Sequence, residues 1–156
     1  MITTKEVFDR EKLQEGDDVF FTGMFTPHLG KKRNLPIVRF GKVALISDER
    51  VMWNEVPTDL YLIETFSFGG NSGSPLFFFL DPTREPNMIR VGQPILLLAG
   101  IVIGYFGEPA RAGIVETKNK AYWPFENSGV AAVVPAFRLN EILNSPELTL
   151  LRNERK

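Results

Sequence analysis

Six apolar runs of strand length, separated by turn residues, constrain the fold of this chain more than any other feature. Most of the runs are rich in Val, Ile and Phe, which favour pleated sheets, and Gly, Pro, Asn or Asp punctuates them. The runs are Val19–Phe21, Ile37–Ile46, Tyr61–Ile63, Pro75–Leu80, Pro94–Ile103 and Val130–Val134. Six short strands with such turns predict an all-β fold, built as an antiparallel barrel or sandwich.

Two of the runs also predict which residues face the core. Ile37–Ile46 partly alternates between apolar and polar residues, and we expect Arg39 and Lys42 to point away from the core. The run LLLAGIVIG, residues 96–104, is almost wholly apolar. That composition predicts a central strand that is buried on both faces.

Helical patterns are confined to the two ends of the chain. Pro135–Ser145 begins with Pro, which suits the first turn of a helix. Its apolar residues have helical spacing and would form one amphipathic face: Phe137, Leu139, Ile142 and Leu143. A short helical turn within TTKEVFDREKL is a weaker prediction. We therefore expect a lead-in over residues 1–15, a barrel over 16–145 with one helix on its outside, and a tail over 146–156.

Composition excludes several classes of function. The 156 residues suffice for one domain with a proper core, and the net charge of −1 argues against a nucleic-acid surface. The one basic cluster, Lys31–Arg33, is typical of a solvated loop. The chain has no Cys and a single His, so we expect no disulfide and no metal site or other cofactor.

Targeting and membrane signals are also missing from the sequence pattern. The polar start MITTKEVFDREKLQEGDD lacks the apolar segment of a signal peptide. The sequence therefore does not specify the cellular compartment, and the cytoplasm is the default expectation. The longest apolar stretch, Pro94–Phe106, is too short and too interrupted by Gly to span a bilayer. We therefore expect no membrane partner.

The turn before the fourth run carries the pattern that acyl-transfer chemistry requires. Attack on a carbonyl needs a serine hydroxyl exposed on a sharp turn and backbone N–H groups that converge on the oxyanion. In the segment Gly70–Pro75, with sequence GNSGSP, Gly70 leaves room for the substrate carbonyl and Gly73 lets the chain turn away from Ser72. The alternative is an ordinary hairpin connection. A phosphate-binding loop is disfavoured because no G-K-[ST] and no helix follow.

The hexapeptide and its flanks resemble the second barrel of trypsin-like (chymotrypsin-fold) serine peptidases. The Asn before the Ser is typical of their HtrA-type branch. The segment that opens with GDDVFF is similar to the start of that barrel, LLAGIVIGYFG to the strand that pairs with the substrate, and SGVAAVVPAFRLNEIL to the last strand and closing helix. The resemblance spans roughly residues 16–144. It implies a six-stranded Greek-key barrel with a C-terminal helix.

The resemblance also implies roles for individual residues. Ser72 would be the nucleophile, with Asn71 beside it, and the N–H groups of Gly70 and Ser72 would form the oxyanion hole. The substrate strand would pair with Ile103–Tyr105. Phe66 would form the base of the specificity pocket, next to Ser67, and the pocket walls would come from Ile103, Gly104, Tyr105, Ala131 and Ala132. With no acidic residue among these, a small or medium aliphatic substrate side chain is favoured over Lys or Arg.

The base of a catalytic triad has no clear candidate in the chain. In the family, the His and the Asp come from a first barrel, and the resemblance begins at the join between the two barrels. His28 precedes Asp48, Asp59 and Ser72 in the right order, but it lies in a Pro-Gly loop of the second barrel. We therefore interpret His28 as a solvated loop residue.

Two functions follow from this reading. The first is the C-terminal half of a serine endopeptidase, inactive alone, whose partners are a peptide or protein substrate and the absent N-terminal barrel. The second is a complete non-catalytic domain that uses the same barrel as a peptide-binding or scaffold module. An apolar face left open by the absent barrel would also favour a homo-oligomer.

Reaction with a fluorophosphonate probe separates these readings. Without a base the hydroxyl of Ser72 is a weak nucleophile, so we expect no measurable labelling of the 156-residue chain. Adding the upstream barrel should restore labelling, and Ser72→Ala should abolish it. A scaffold predicts no labelling in either form. A triad with His28 predicts labelling of the chain alone that is lost in His28→Ala.

Overall fold

Ten strands and three helices make up the described part of the chain. The computed structural model describes residues 1–26, 28, 30–67, 69–84, 92, 94–109, 115–117, 120–122 and 125–154. The strands are β1 (Asp18–Met24), β2 (Pro36–Ile46), β3 (Val51–Trp53), β4 (Val56–Thr58), β5 (Tyr61–Glu64), β6 (Pro75–Leu80), β7 (Ile95–Pro109), β8 (Val115–Thr117), β9 (Lys120–Tyr122) and β10 (Phe125–Pro135). The helices are α1 (Lys5–Arg10), α2 (Ala136–Leu143) and α3 (Pro146–Glu154).

Six of the strands close into one antiparallel barrel, in the order β1-β2-β5-β10-β7-β6. Three strands follow one another as a meander, and β6 then returns to lie beside β1, which is the Greek-key arrangement. Each barrel strand coincides with one of the six apolar runs, so the predicted all-β barrel with a C-terminal helix is confirmed. The hairpins β3–β4 and β8–β9 form separate two-stranded sheets.

Alternate residues of the barrel strands fill the interior. Strands β1 and β6, which close the barrel, contribute Val19, Phe21, Leu76 and Phe78, all almost fully buried. Val43, Ile63, Leu97, Val102 and Val133 come from the other four strands and join the same core cluster. Large apolar side chains at every second position therefore specify which face of each strand turns inward.

The predicted orientation of Arg39 is wrong, whereas that of Lys42 is confirmed. Lys42 is exposed and forms an ion pair with Asp18, 2.7 Å between Nζ and Oδ1. Arg39 is only partly exposed and lies opposite the buried Phe21 in the β1–β2 ladder. The reason is geometric, because residues three apart in a regular strand must face opposite sides of the sheet.

The prediction that the run over residues 96–104 is buried on both faces is also wrong. Leu97, Ala99 and Val102 are buried, but Leu96 is 49 % exposed. In a closed barrel only one face of each strand looks inward, and no layer formed by the described residues covers the outer face at Leu96. The apolar outer positions of β7 therefore contribute to the surface.

The first fifteen residues pair with strand β7 and pack against the barrel core. The carbonyl of Met1 accepts from Leu98 N–H (2.9 Å), and Thr3 N–H donates to Leu98 O (3.1 Å), so this segment pairs with β7 beyond the end of β10. Val7 on α1 and Leu13 after it are buried in the core cluster. The weak prediction of a helical turn here is confirmed by α1.

The C-terminal helix starts where the sequence predicts, but its apolar face is only partly covered. Pro135 occupies the N-cap position of α2 without a capping hydrogen bond, and Ala136 is the one buried residue of the helix, while Ile142 is exposed. The tail also contains α3, which the sequence analysis did not predict and which has no buried residue. Residues 155 and 156 of the tail lie outside the described residues.

A prediction about alkaline stability follows from the position of Tyr61 in the core. The side chain is 8 % exposed, and burial raises the pKa of Tyr61 to about 12 from 10.0. As the pH rises from about 10 to about 12, the unfolded chain loses the phenolic proton before the folded chain does. The free energy of unfolding should therefore fall by about 2 kcal/mol over this range, and be insensitive to Tyr61 below it.

Urea denaturation at a series of alkaline pH values measures this loss. Tyr61→Phe should flatten the alkaline limb, because phenylalanine has no proton to lose. Tyr105→Phe, a change at an exposed ring on β7, is the matched control and should keep the wild-type slope. An alkaline limb that is unchanged in Tyr61→Phe would contradict the prediction.

Candidate functional site

The turn between β5 and β6 holds Ser72 at the surface through two glycines with left-handed backbone. Gly70 has φ +97° and Gly73 has φ +89°, values that residues with a Cβ rarely adopt. Ser72 lies between them and is exposed. The backbone thus bends sharply on both sides of the serine and leaves this residue exposed, as the sequence predicts.

The side chain of Asn71 supports this turn from its buried side. Its side chain is almost fully buried, in contrast to the exposed Ser72 that follows it. A Cβ placed on Gly23, at the end of β1, would lie 2.6 Å from Asn71 Oδ1 and 3.1 Å from Ser74 Oγ. The absence of a side chain at Gly23 therefore creates the space that the Asn71 amide fills. Asn71 supports the turn and does not line the exposed side of the site.

Three hydrogen bonds connect the turn to β7. Gly73 N–H donates to Val102 O (2.7 Å), and Val102 N–H donates to Ser74 O (2.9 Å). The hydroxyl of Ser72 donates to Ile103 O, with 3.1 Å between the oxygens. The described hydrogen bond of Ser72 thus goes to a backbone carbonyl and not to an imidazole.

Among the described hydrogen bonds, none joins His28 or Asp59 to Ser72. His28 is exposed, and its backbone N–H donates to Phe25 O (2.8 Å), while its neighbours 27 and 29 lie outside the described residues. Asp59 accepts a hydrogen bond from Arg138, which holds the pKa of that carboxyl below its usual value. Asp59 precedes β5 whereas Ser72 follows it, so the two residues belong to opposite ends of the barrel.

The two residues expected at the base of the specificity pocket differ in burial. Phe66 is 72 % exposed, so its ring turns into neither the core nor an enclosed pocket. Ser67 is buried, and its carbonyl accepts a hydrogen bond from the Asn127 side chain. The Ser67 hydroxyl has no hydrogen-bond partner among the described residues.

The expected pocket walls are brought together but offer little surface. Ala131 pairs with Tyr105 and Ala132 with Gly104 across the β10–β7 ladder. Both alanines are fully buried, so they cannot line an open pocket as the resemblance implies. Of this set, Ile103, Gly104 and Tyr105 retain exposed surface.

Trp53 is a neighbour of this site that the sequence analysis missed. A Cβ on Gly104 would lie 2.9 Å from two carbons of the Trp53 indole, so the indole packs directly against the β7 backbone. The same ring meets Phe106 edge-on, with 5.1 Å between centroids. Trp53 reaches this position because it ends β3 in the β3–β4 hairpin.

The edge of β7 beside Ser72 is open beyond its pairing with β6. The last β6–β7 pair is Pro75 with Ile101, whereas β10 pairs with the other edge of β7 as far as Pro109. Within the described ranges no strand pairs with β7 from Gly104 onward on the β6 side. Such an edge can accept an extended peptide as an additional strand.

A cavity of about 390 Å³ lies at the opposite end of the barrel. Residues from α1, the end of β2, the start of β5 and the start of α2 line it. Two of its charged groups, Asp59 and Arg138, bind one another, and their ion pair lies far along the barrel from Ser72. This cavity therefore does not belong to the candidate site.

No model of a known protein family, no curated protein and no solved structure matches the chain. In the part of the chain that the structure describes, no group of three or more His, Asp or Glu side chains could hold a metal ion. Nor does any described helix have the length and apolar character needed to cross a membrane.

Substitution of Gly69 and of Gly73 tests the energetic effect of the left-handed backbone in the turn. A Cβ on Gly69 or on Gly73 would meet no atom within 4 Å, but only Gly73 has a positive φ. Gly73→Ala should therefore lower the free energy of unfolding by about 1–2 kcal/mol through backbone strain alone. Gly69→Ala should change it by about 0.5 kcal/mol or less. Urea denaturation measures both, and equal effects would contradict the assignment of strain to Gly73.

Proposed function

We propose that this chain is the nucleophile-bearing barrel of a trypsin-like serine endopeptidase. The observation that carries the proposal is the turn itself, where an exposed Ser72 stands between two left-handed glycines beside an open strand edge. The Greek-key order of the barrel agrees with the same family. The N–H groups of Gly70 and Ser72 are the oxyanion donors in this proposal.

The proposed reaction is acyl transfer in two steps. A substrate strand adds to the β7 edge, and Ser72 Oγ attacks the carbonyl carbon while a base takes the hydroxyl proton. The tetrahedral oxyanion collapses, the C–N bond breaks, and the base returns the proton to the leaving amine. Water then hydrolyses the acyl-enzyme by the same route. The base and its orienting carboxylate belong to a partner barrel.

The outer side of the barrel offers a surface for such a partner. Six apolar residues form this aromatic face, on the outward positions of β2, β1, β6 and β7: Phe20, Val38, Phe40, Phe77, Phe79 and Leu96. Phe40 is 76 % exposed, and the rings of Phe20 and Phe77 stack at 5.4 Å. Because β6 begins three residues after Ser72, a barrel docked on the aromatic face would lie beside the nucleophile. In the isolated chain, the same face would drive self-association.

The second candidate function is a non-catalytic peptide-binding or scaffold domain. The bond from Ser72 to Ile103 favours it, because the hydroxyl is satisfied by a carbonyl and meets no base among the described residues. Both candidates bind an extended peptide at the β7 edge. They differ in whether Ser72 reacts.

Chemical rescue tests the reactivity of Ser72 in the chain as it stands. Imidazole in solution can act as the base that the site lacks, so we expect it at high concentration to raise fluorophosphonate labelling about tenfold above the background signal seen without it. Ser72→Ala should show only the background signal, with and without imidazole. The measurement is in-gel fluorescence over time.

A serine elsewhere in the fold provides the control. Ser47, at the end of β2, accepts a hydrogen bond from Glu49 N–H and is remote from the turn. Ser47→Ala should label like the unchanged protein. If imidazole leaves the rate unchanged, or if Ser72→Ala labels equally well, the peptidase proposal fails and the scaffold function remains.

A further inference from the structure

The hydrogen bond between Ser72 and Ile103 joins the candidate nucleophile to the strand that would bind the substrate. The hydroxyl of Ser72 donates to Ile103 O at 3.1 Å. Val102, the residue before it, exchanges hydrogen bonds with Gly73 and Ser74 on this side. Successive carbonyls of a regular strand point to opposite edges, but Ile103 is the extra residue of a bulge between Val102 and Gly104 in the β10–β7 ladder, and its carbonyl also reaches the Ser72 side. Ile103 O is therefore the first carbonyl of β7 beyond the backbone bonds of the turn.

A peptide strand added to the β7 edge would need the carbonyl of Ile103 as a hydrogen-bond acceptor. Antiparallel pairing satisfies the N–H and C=O groups that point to the receiving edge, and the β6–β7 ladder ends at the pair Pro75–Ile101. A peptide that extends the sheet from this point reaches Ile103 O first. The Ser72 hydroxyl and a peptide N–H then compete for one acceptor on one side of the strand.

We propose that Ser72 is held at rest by Ile103 and that a peptide bound on the β7 edge releases it. The inference rests on the proposed function, since it assumes that the edge receives a peptide. The exchange is a replacement of one hydrogen bond by another: a peptide N–H takes Ile103 O, and the Ser72 O–H is freed to donate to a base. Substrate binding thus precedes and permits activation of the nucleophile.

The resting hydrogen bond between Ser72 and Ile103 therefore opposes peptide binding. Breaking it costs the net free energy of one hydrogen bond, so removing the hydroxyl should tighten peptide binding by about three- to tenfold. A thiol is somewhat larger than a hydroxyl and a much weaker donor. Ser72→Cys should therefore also bind more tightly than the unchanged protein, although the shape of the site is kept.

Ser128 supplies a matched control. Its hydroxyl donates to Phe106 O at 2.7 Å, which is another serine bond to a β7 carbonyl. Ser128 lies on β10, on the edge of β7 that is already paired, so its bond does not compete with an added strand. Ser128→Ala should leave peptide affinity unchanged.

Fluorescence anisotropy measures the affinities in the full chain. The probe is an amidated heptapeptide of alanines ending in valine, labelled with fluorescein at its N-terminus and titrated with each variant. Tighter binding by Ser72→Ala and Ser72→Cys, with Ser128→Ala unchanged, is the expected result. Equal affinity of all four proteins, or tighter binding by Ser128→Ala as well, would overturn the resting contact while leaving the edge as a peptide site. If none of the four proteins binds the peptide, the proposed function fails together with this inference.

Discussion

Closure of the barrel between β1 and β6 is the constraint on which the rest of the structure depends. Only three residue pairs form it, Val19–Phe78, Phe20–Phe77 and Phe21–Leu76. Their inward side chains are among the most buried of the chain. Without this ladder the sheet would have two open edges, and the aromatic residues on both strands would have no fixed partners. The closure also places the end of β1 beside the turn that precedes β6, which is why Gly23 meets Asn71 and Ser72 stays outside.

The proposed function requires two exposed surfaces of kinds that proteins usually cover. In that proposal the open β7 edge receives a peptide and the aromatic face receives a partner. Ile103 is one place where the chain reduces this exposure, since its carbonyl is occupied by Ser72. Trp53 is another, because its indole covers the backbone at Gly104. Both coverings come from side chains, so they can be displaced without unfolding a strand.

The sequence was sufficient for the barrel strands and for the Ser72 turn because both depend on local composition. Runs of Val, Ile and Phe predict strands, and a Gly on each side of Ser72 predicts a sharp bend. The β3–β4 hairpin was missed because its turn is Asn54-Glu55, both with positive φ, where an Asn-Gly pair would have been recognised. No local sequence pattern predicts contacts between strands that are far apart in the chain. Such contacts determine the burial of Ala131 and Ala132 and the bond of Ser72 to Ile103. The inward position of Arg39 could have been found by counting alternate residues.

The pairing of the first residues with Leu98 has a consequence for the order of events during synthesis. Leu98 leaves the ribosome after Met1 by about 5–20 s at ordinary rates of translation. Throughout that interval the segment Met1–Thr3 has no strand beside it, and Val7 and Leu13 lack most of the core that later buries them. A nascent chain therefore exposes Val7, Leu13 and the unpaired backbone of residues 1–3 until Leu98 is made, and such exposed apolar side chains are what chaperones engage in a growing polypeptide.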